Sequence, residues 1–414
     1  MSANSAAHSD NSAVGARLSV MMFLQFFLWG GWYVTVGNFM KANGMESNIP
    51  WAYSVGPIAA IISPFFLGMV ADRFFATERV LAAMHLIGGG ILLALPSVDA
   101  GTFKILLLVH MLCYMPTLGL TNTLAFHNVT NPEKQFPLIR VFGTIGWIAA
   151  NLVVSAWLHA DTKALQFYVA GGAGVLLGLY SLSLPHTPPP SRGKQTTIKD
   201  ILGLDSLALM KSKSFATFMI SSFLVCIPLA FYYAYAPVFV SDIGIADPAS
   251  KMSFGQMSEI FFMLVMPLFF ARLGVKWMLF VGMLAWVVRY GLFAAASTSH
   301  ALALVLGGII LHGICYDFFF VTGQIYVDKK AHASIRGQAQ GFLVLVTQGL
   351  GMLIGAQLSG KIHDNYKVGE VVQWQMVWLI PCIAAGVIML LFAALFRDDT
   401  AADDVSAAET VPAT

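Results

Sequence analysis

The sequence predicts an all-α membrane protein with twelve transmembrane helices in two six-helix halves. Three observations carry this reading. Of 414 residues, 57% are hydrophobic and 11% charged, whereas a water-soluble domain spends about a quarter of its residues on charge. Twelve apolar runs lie between charged or Gly/Pro breaks, each near the roughly 20 residues that a bilayer-crossing helix needs. One long polar stretch, 185–213, divides those runs six and six. The same shortage of charge excludes a soluble enzyme and a disordered scaffold. A net charge of +2 offers no basic face, so nucleic acid is not an expected partner.

Taken in order, a polar N-tail (1–16) lacks the basic region and cleavage pattern of a signal peptide. The first span is therefore read as uncleaved. The first half, 17–184, holds spans near 17–39, 52–71, 80–98, 103–125, 137–158 and 164–184. The central loop, 185–213, opens with the stiff run Pro185-His-Thr-Pro-Pro-Pro190. Its end, Ile198–Met210, has helical apolar spacing and is expected to lie along the inner membrane surface. The second half, 214–397, holds spans near 214–240, 254–273, 276–297, 300–325, 337–360 and 372–396, and an acidic tail, 398–414, follows.

Charge sets the orientation. With the N-terminus inside, sixteen Lys and Arg fall on cytoplasmic segments and six on outward loops, with Arg289 inside the ninth span. That is a positive-inside pattern, and it places both termini in the cytoplasm. The four cysteines, Cys113, Cys226, Cys315 and Cys382, all lie in apolar runs and read as small hydrophobes. His85 and His110 read as structural, and Gly351-Met-Leu-Ile-Gly355 permits close helix contact. Asn128-Val-Thr130 matches a glycosylation sequon but falls on the cytoplasmic side. Gly193-Lys194-Gln195 is not a phosphate-binding loop, because the upstream Gly and the Ser/Thr after Lys are missing. Uphill movement of a solute would thus draw on an ion gradient.

An ionised side chain at mid-membrane costs about 2.5–3.5 kcal/mol, so it is seldom there without a use. Glu259 and Asp317 are the two acids set inside apolar runs. Exclusion of water favours the neutral form of a carboxyl group, which suits it to load and release a proton. Gln256 shares a helix face with Glu259, while Asp317, Phe320 and Gln324 follow an i, i+3, i+7 stripe beside His312 and Tyr316. Arg140, Thr144 and Trp147 form a similar stripe on the fifth span, where the indole offers a surface for a planar ring. Arg289 reads as a counter-ion or as a packed or snorkelling residue.

Gly68-Met-Val-Ala71-Asp72-Arg73, with Arg79 beyond it and Phe270-Ala-Arg272-Leu-Gly274-Val-Lys276 as its counterpart, resembles the loop signature of the major facilitator superfamily. More specifically, the chain resembles the nucleoside–proton symporters of that superfamily over nearly its whole length. The residues that carry this are Phe23-Leu-Gln-Phe-Phe-Leu-Trp29-Gly30-Gly-Trp32, Tyr114-Met-Pro-Thr-Leu-Gly-Leu-Thr-Asn122-Thr123 and Ile139-Arg-Val-Phe-Gly143-Thr144-Ile-Gly146. Further matches are Ile201-Leu-Gly-Leu-Asp205, Ala285-Trp-Val-Val-Arg289, Asp317-Phe-Phe, Ala339-Gln340-Gly341 and Trp374-Gln-Met-Val-Trp-Leu-Ile380.

The resemblance implies a major facilitator fold, alternating access and a solute held in a central cavity. By match it assigns solute contacts to Arg140, Thr144, Gln256, Glu259 and Asp317. Trp147 and Tyr316 stand where the family has aromatic side chains, and His312 where it can carry a tyrosine. The seventh span departs from the pattern, reading Pro228-Leu-Ala230-Phe-Tyr232-Tyr233-Ala-Tyr235 where the family can present amides; Tyr233 is expected to face the solute there. Proton coupling is expected at Asp317 or Glu259. The expected partners are a nucleoside, protons and the lipid bilayer, with no cofactor, no metal and no catalysis. A monomer in a bacterial inner membrane is the expected setting. The residues leave open a symporter for a sugar or other polyhydroxylated metabolite, and a non-transporting membrane sensor.

Overall fold

The computed structural model describes residues 2–66, 74–189, 204–332 and 335–398. The loop signature at Gly68–Arg73, the Gly193-Lys194-Gln195 run, part of the Ile198–Met210 segment and the tail beyond 398 lie outside the described residues. The first helices are α1 (Ser2–Tyr33), α2 (Val36–Ala42), α3 (Ile49–Phe66), α4 (Thr77–Ala94), α5 (Ala100–Asn128), α6 (Pro132–Asn151) and α7 (Leu165–Ser181). They are followed by α8 (Lys213–Asp242), α9 (Pro248–Ser299), α10 (Leu302–Ile310), α11 (His312–Tyr316), α12 (Thr322–Lys330), α13 (Arg336–Val344), α14 (Met352–Asn365) and α15 (Trp374–Leu395). A two-residue ladder, Lys367–Val368 against Val371–Val372, is the strand pairing seen among the described residues.

Local chemistry sets several of these ends. Asp99 caps α5 by accepting from the N–H groups of Gly101 (2.9 Å) and Thr102 (3.1 Å) and from the Thr102 hydroxyl (2.6 Å). These bonds, the Thr102 hydroxyl foremost, hold its carboxyl below the usual carboxylate range. Asn131 caps α6, with Pro132 at the first helical position, where its missing N–H costs nothing. The spans expected at 254–273 and 276–297 are joined in α9, which has 52 residues and a single non-helical residue, Gly274, at φ 65°. Only glycine enters that left-handed region without strain. A straight helix of that length would run about 78 Å, against a hydrocarbon core of about 30 Å.

Nine helical stretches among the described residues are long and apolar enough to cross a membrane. Helical segments of π type interrupt the pattern at Leu152–Trp157, Asp317–Val321 and Leu345–Gly351.

The chain divides into two compact units, the described residues of Met1–Thr196 with Tyr233–Ser253, and those of Thr197–Tyr232 with Phe254–Thr414. The division passes through α8, between Tyr232 and Tyr233. The first unit has a core of Leu18, Met21, Met22, Leu81, Leu120, Leu124 and Leu177. Its helices approach to backbone contact, and a Cβ on Gly146 of α6 would run into the Phe23 carbonyl of α1. Gly146→Val is therefore expected to lower thermal stability by about 1–3 kcal/mol. A melting curve of the detergent-purified variant that overlays the parent's would contradict this packing.

Within the same unit, Tyr233–Ser253 is tied to the rest by polar contacts. Lys41 Nζ donates to Asp242 at 2.7 Å, Asn38 donates to the Pro237 carbonyl at 3.2 Å, and His159 Nδ1 lies 2.8 Å from Asp247. Asp161 accepts from the Ser155 hydroxyl at 2.8 Å and from the Ala249 N–H at 3.3 Å. Its burial pushes the carboxyl up, against the pull of those bonds. The sequence marks Asp161 as a loop acid; it sits in a loop but is buried.

The second unit packs Met266, Met278 and Phe318 at one centre. Gly351 and Gly355 bring their helix against α8, where added Cβ atoms would meet Cys226, the Phe223 carbonyl and the Ile227 carbonyl. The close contact expected of this pair is thus internal to the unit. Cys226 and Cys315 are buried, while Cys113 and Cys382 are half-buried.

Candidate functional site

In the first unit the stripe on α6 forms as its spacing requires. Arg140, Thr144 and Trp147 are all half-buried. The Arg140 guanidinium lies 4.2 Å above the Phe26 ring, a cation–π contact that aims it along α1. Trp147 meets Trp29 edge-on at 5.3 Å and Tyr33 at 6.1 Å, and Tyr33 in turn meets Tyr233 at 6.1 Å. Tyr114 packs on Trp29 at 5.3 Å and donates to the Gln25 carbonyl at 2.8 Å. Trp147 and Tyr233 thus belong to one aromatic cluster, joined through Tyr33.

Trp29 and Tyr33 were not singled out as site residues by their sequence. The signal was present, since they sit four apart on α1 and so share a face.

In the second unit, Gln256, Glu259, His312, Tyr316 and Asp317 come together where α9 meets α11. The contact is set by backbone. A Cβ on Gly313 would lie 2.6 Å from the Ser258 carbonyl, and the Gly313 N–H donates to the Ser258 hydroxyl at 3.0 Å. That close approach carries the adjacent His312 to Glu259, with Nε2 and Oε2 4.0 Å apart. Tyr232 stacks on His312 at 5.4 Å, and the Arg289 guanidinium lies 4.2 Å over Tyr232. Arg289 is 0% exposed and donates through Nε to the Gly308 carbonyl at 3.1 Å, so it packs inward and does not snorkel. Tyr316 packs between His312 (5.8 Å) and Phe320 (5.1 Å).

Asp317 is the most isolated of the group. Its side chain is 0% exposed, and neither carboxyl oxygen has a hydrogen-bond partner among the described residues. Glu259 is an acidic neighbour. Asp317 also opens the π turn Asp317–Val321, an irregularity common at functional sites. The wider turn spoils the stripe expected from α-helical spacing. Asp317 and Phe320 are buried, but Gln324 is exposed and its carbonyl accepts from Gln340.

A family model described as nucleoside H+ symporter matches residues 12–401. The chain belongs to the nucleoside H+ symporter family. Among its relatives, the putative nucleoside transporter YegT of Escherichia coli K12 is 40% identical over 92% of this chain and 94% of its own. Xanthosine permease from the same organism is 34% identical, covering 89% and 92%. A crystal structure of the nucleoside transporter NupG superposes with a TM-score of 0.84 at 32% identity, covering 93% of this chain and 99% of that one. A peptide transporter at 15% identity, with a TM-score of 0.74 over 92% and 93% of the two chains, shares the fold alone.

The fold of this nucleoside H+ symporter family member is thus of the major facilitator type, a multi-pass bundle of helices. Its helix α8 carries Tyr232, Tyr233 and Tyr235 in the stretch that departs from the family pattern. Tyr232 and Tyr235 are buried, whereas Tyr233 is half-buried beside Tyr33.

Proposed function

We propose that the protein imports nucleosides by alternating access, driven by protons. The observation that carries this is a buried carboxyl, Asp317, with no hydrogen-bond partner among the described residues and Glu259 as an acidic neighbour, in a chain whose family is one of nucleoside H+ symporters. An ionisable side chain inside an apolar span is costly and is typical of proton relays in carriers. Asp317 serves as the coupling group. Glu259, half-exposed beside Gln256, hydrogen-bonds the solute.

Arg140 and Thr144 supply further polar contacts, while Trp147 and Tyr233 offer ring surfaces to the base. Tyr316 and His312 are further contacts for the solute. The chain forms twelve membrane helices, six to each side of the central loop, with α9 counted as two about Gly274. Both termini are cytoplasmic, in accord with the bias of Lys and Arg, and the setting is a bacterial inner membrane. The carrier works as a monomer.

Competition tests the substrate class. Labelled-nucleoside uptake into proteoliposomes should be blocked by unlabelled nucleosides and far less by free ribose or free base. Aromatic rings also stack on sugar faces, so the aromatic cluster does not decide the matter alone. Inhibition by free sugars and not by nucleosides would overturn the reading and make this a sugar carrier. Counterflow of labelled solute separates a carrier from a sensor, which binds without flux.

A further inference from the structure

We infer that Asn151 is a positioning residue for solute recognition, acting through the ring of Trp147. The inference rests on the nucleoside reading and deepens it. Trp147 is the half-buried indole on the solute stripe of α6, and Asn151 lies four residues on, over the same face. Asn151 is 1% exposed. With its amide turned to suit its neighbours, its oxygen accepts from the Trp147 indole N–H at 3.1 Å. Its nitrogen donates to the Gly30 carbonyl of α1 at 3.0 Å.

Gly30 completes the clamp. A Cβ there would fall 3.0–3.2 Å from the backbone and ring of Trp147, so a side chain at this position would crowd that residue. The ring is therefore held on three sides: by the Gly30 backbone, by the amide of Asn151, and by the edges of Trp29 and Tyr33. By contrast, the indole N–H groups of Trp29 and Trp32 on α1 have no hydrogen-bond partner among the described residues. Their orientation rests on packing. That of Trp147 is fixed by a directional bond as well.

A fixed plane matters because ring stacking is sensitive to tilt and offset. Without the acceptor, the indole N–H would lose this partner, and the ring would be free to turn toward another acceptor. Asn151 also ends α6, and the π segment Leu152–Trp157 begins at the next residue. The amide therefore holds the ring against α1 where the helix loses its regular hydrogen-bond register.

The test uses the full-length protein in detergent, with adenosine and uridine as probes. Asn151→Leu should bind whichever nucleoside the parent binds about 2- to 12-fold more weakly, the value of a well-oriented aromatic contact. Trp147→Phe keeps a ring but removes the N–H. In that background Asn151→Leu should have no further effect on nucleoside affinity. An equal loss in both backgrounds would mean a general structural role and would overturn the inference.

A second measurement needs no variant at Asn151. In protein labelled with 15N at the indole nitrogen, the signal absent from Trp147→Phe identifies Trp147, and its proton should exchange slowly with D2O in the parent. Exchange as fast as that of an exposed indole would contradict the bond. The two readings fail differently: a parent that binds neither probe overturns both, whereas equal binding by parent and Asn151→Leu overturns only this one.

Discussion

Asp317→Asn is expected to abolish proton-driven accumulation of solute while leaving exchange down a solute gradient. The amide has nearly the shape of the protonated acid, so the buried site still packs, but no proton can be released from it. The group must carry a proton in one state of the cycle and lose it in another. A change in hydration or in an acidic neighbour such as Glu259 supplies that difference. Steady-state accumulation should fall to the passive level, a loss of at least about tenfold if one elementary charge is normally driven by some 60 mV. Exchange by the variant should show none of the parent's pH dependence. Glu259→Gln should instead weaken solute binding and leave residual accumulation coupled to protons. If Asp317→Asn still accumulates solute with the parent's dependence on the proton gradient, Glu259 takes over the coupling role.

The second large effect is expected from the polar residues proposed to hold the solute. Gln256→Ala and Arg140→Ala should each remove detectable ligand-induced stabilisation while the purified variants keep the parent's expression and melting behaviour without ligand. Leaving one partner of a buried hydrogen bond unmatched costs about 1–3 kcal/mol, roughly a 5- to 150-fold loss of affinity. Gln256 is half-buried, and its side-chain oxygen has no hydrogen-bond partner among the described residues, as a group awaiting a solute would be. Arg140 rests on Phe26 and stays half-buried, so it keeps reach. Thermal shift with nucleoside checks both, and equal stabilisation in variant and parent removes the residue from the site.

Much of the fold was legible because the bilayer imposes a coarse rule. Every span must be apolar over about 20 residues, and every backbone polar group must be satisfied internally. Runs such as 103–125 and 372–396 therefore announce their helices, observed at Ala100–Asn128 and Trp374–Leu395. Irregularities within the spans were not legible. Nothing in Cys315-Tyr-Asp-Phe-Phe-Phe marks the π turn found at Asp317–Val321.

The candidate site was readable where charge is rare. Glu259 and Asp317 stood out because acids in apolar runs are costly, and the structure brings them near each other with His312. The aromatic surroundings were less readable, since a tryptophan in a membrane helix is ordinary. Trp29 and Tyr33 gain meaning only once α1 is seen to cross α6 at Gly30 and Gly146. The partners of Asp161 were out of reach for a similar reason. Its contact with Ala249 joins positions 88 apart in the chain, and no local pattern reports that.

A proton gradient drives nucleoside through this carrier. Proteoliposomes holding the purified protein, with an inward proton gradient imposed and labelled nucleoside outside, test it most directly. Uptake above equilibrium is expected, with collapse on adding a protonophore and proton entry that appears only when nucleoside is present. Accumulation that survives the protonophore, or nucleoside binding with no flux in either direction, would contradict it.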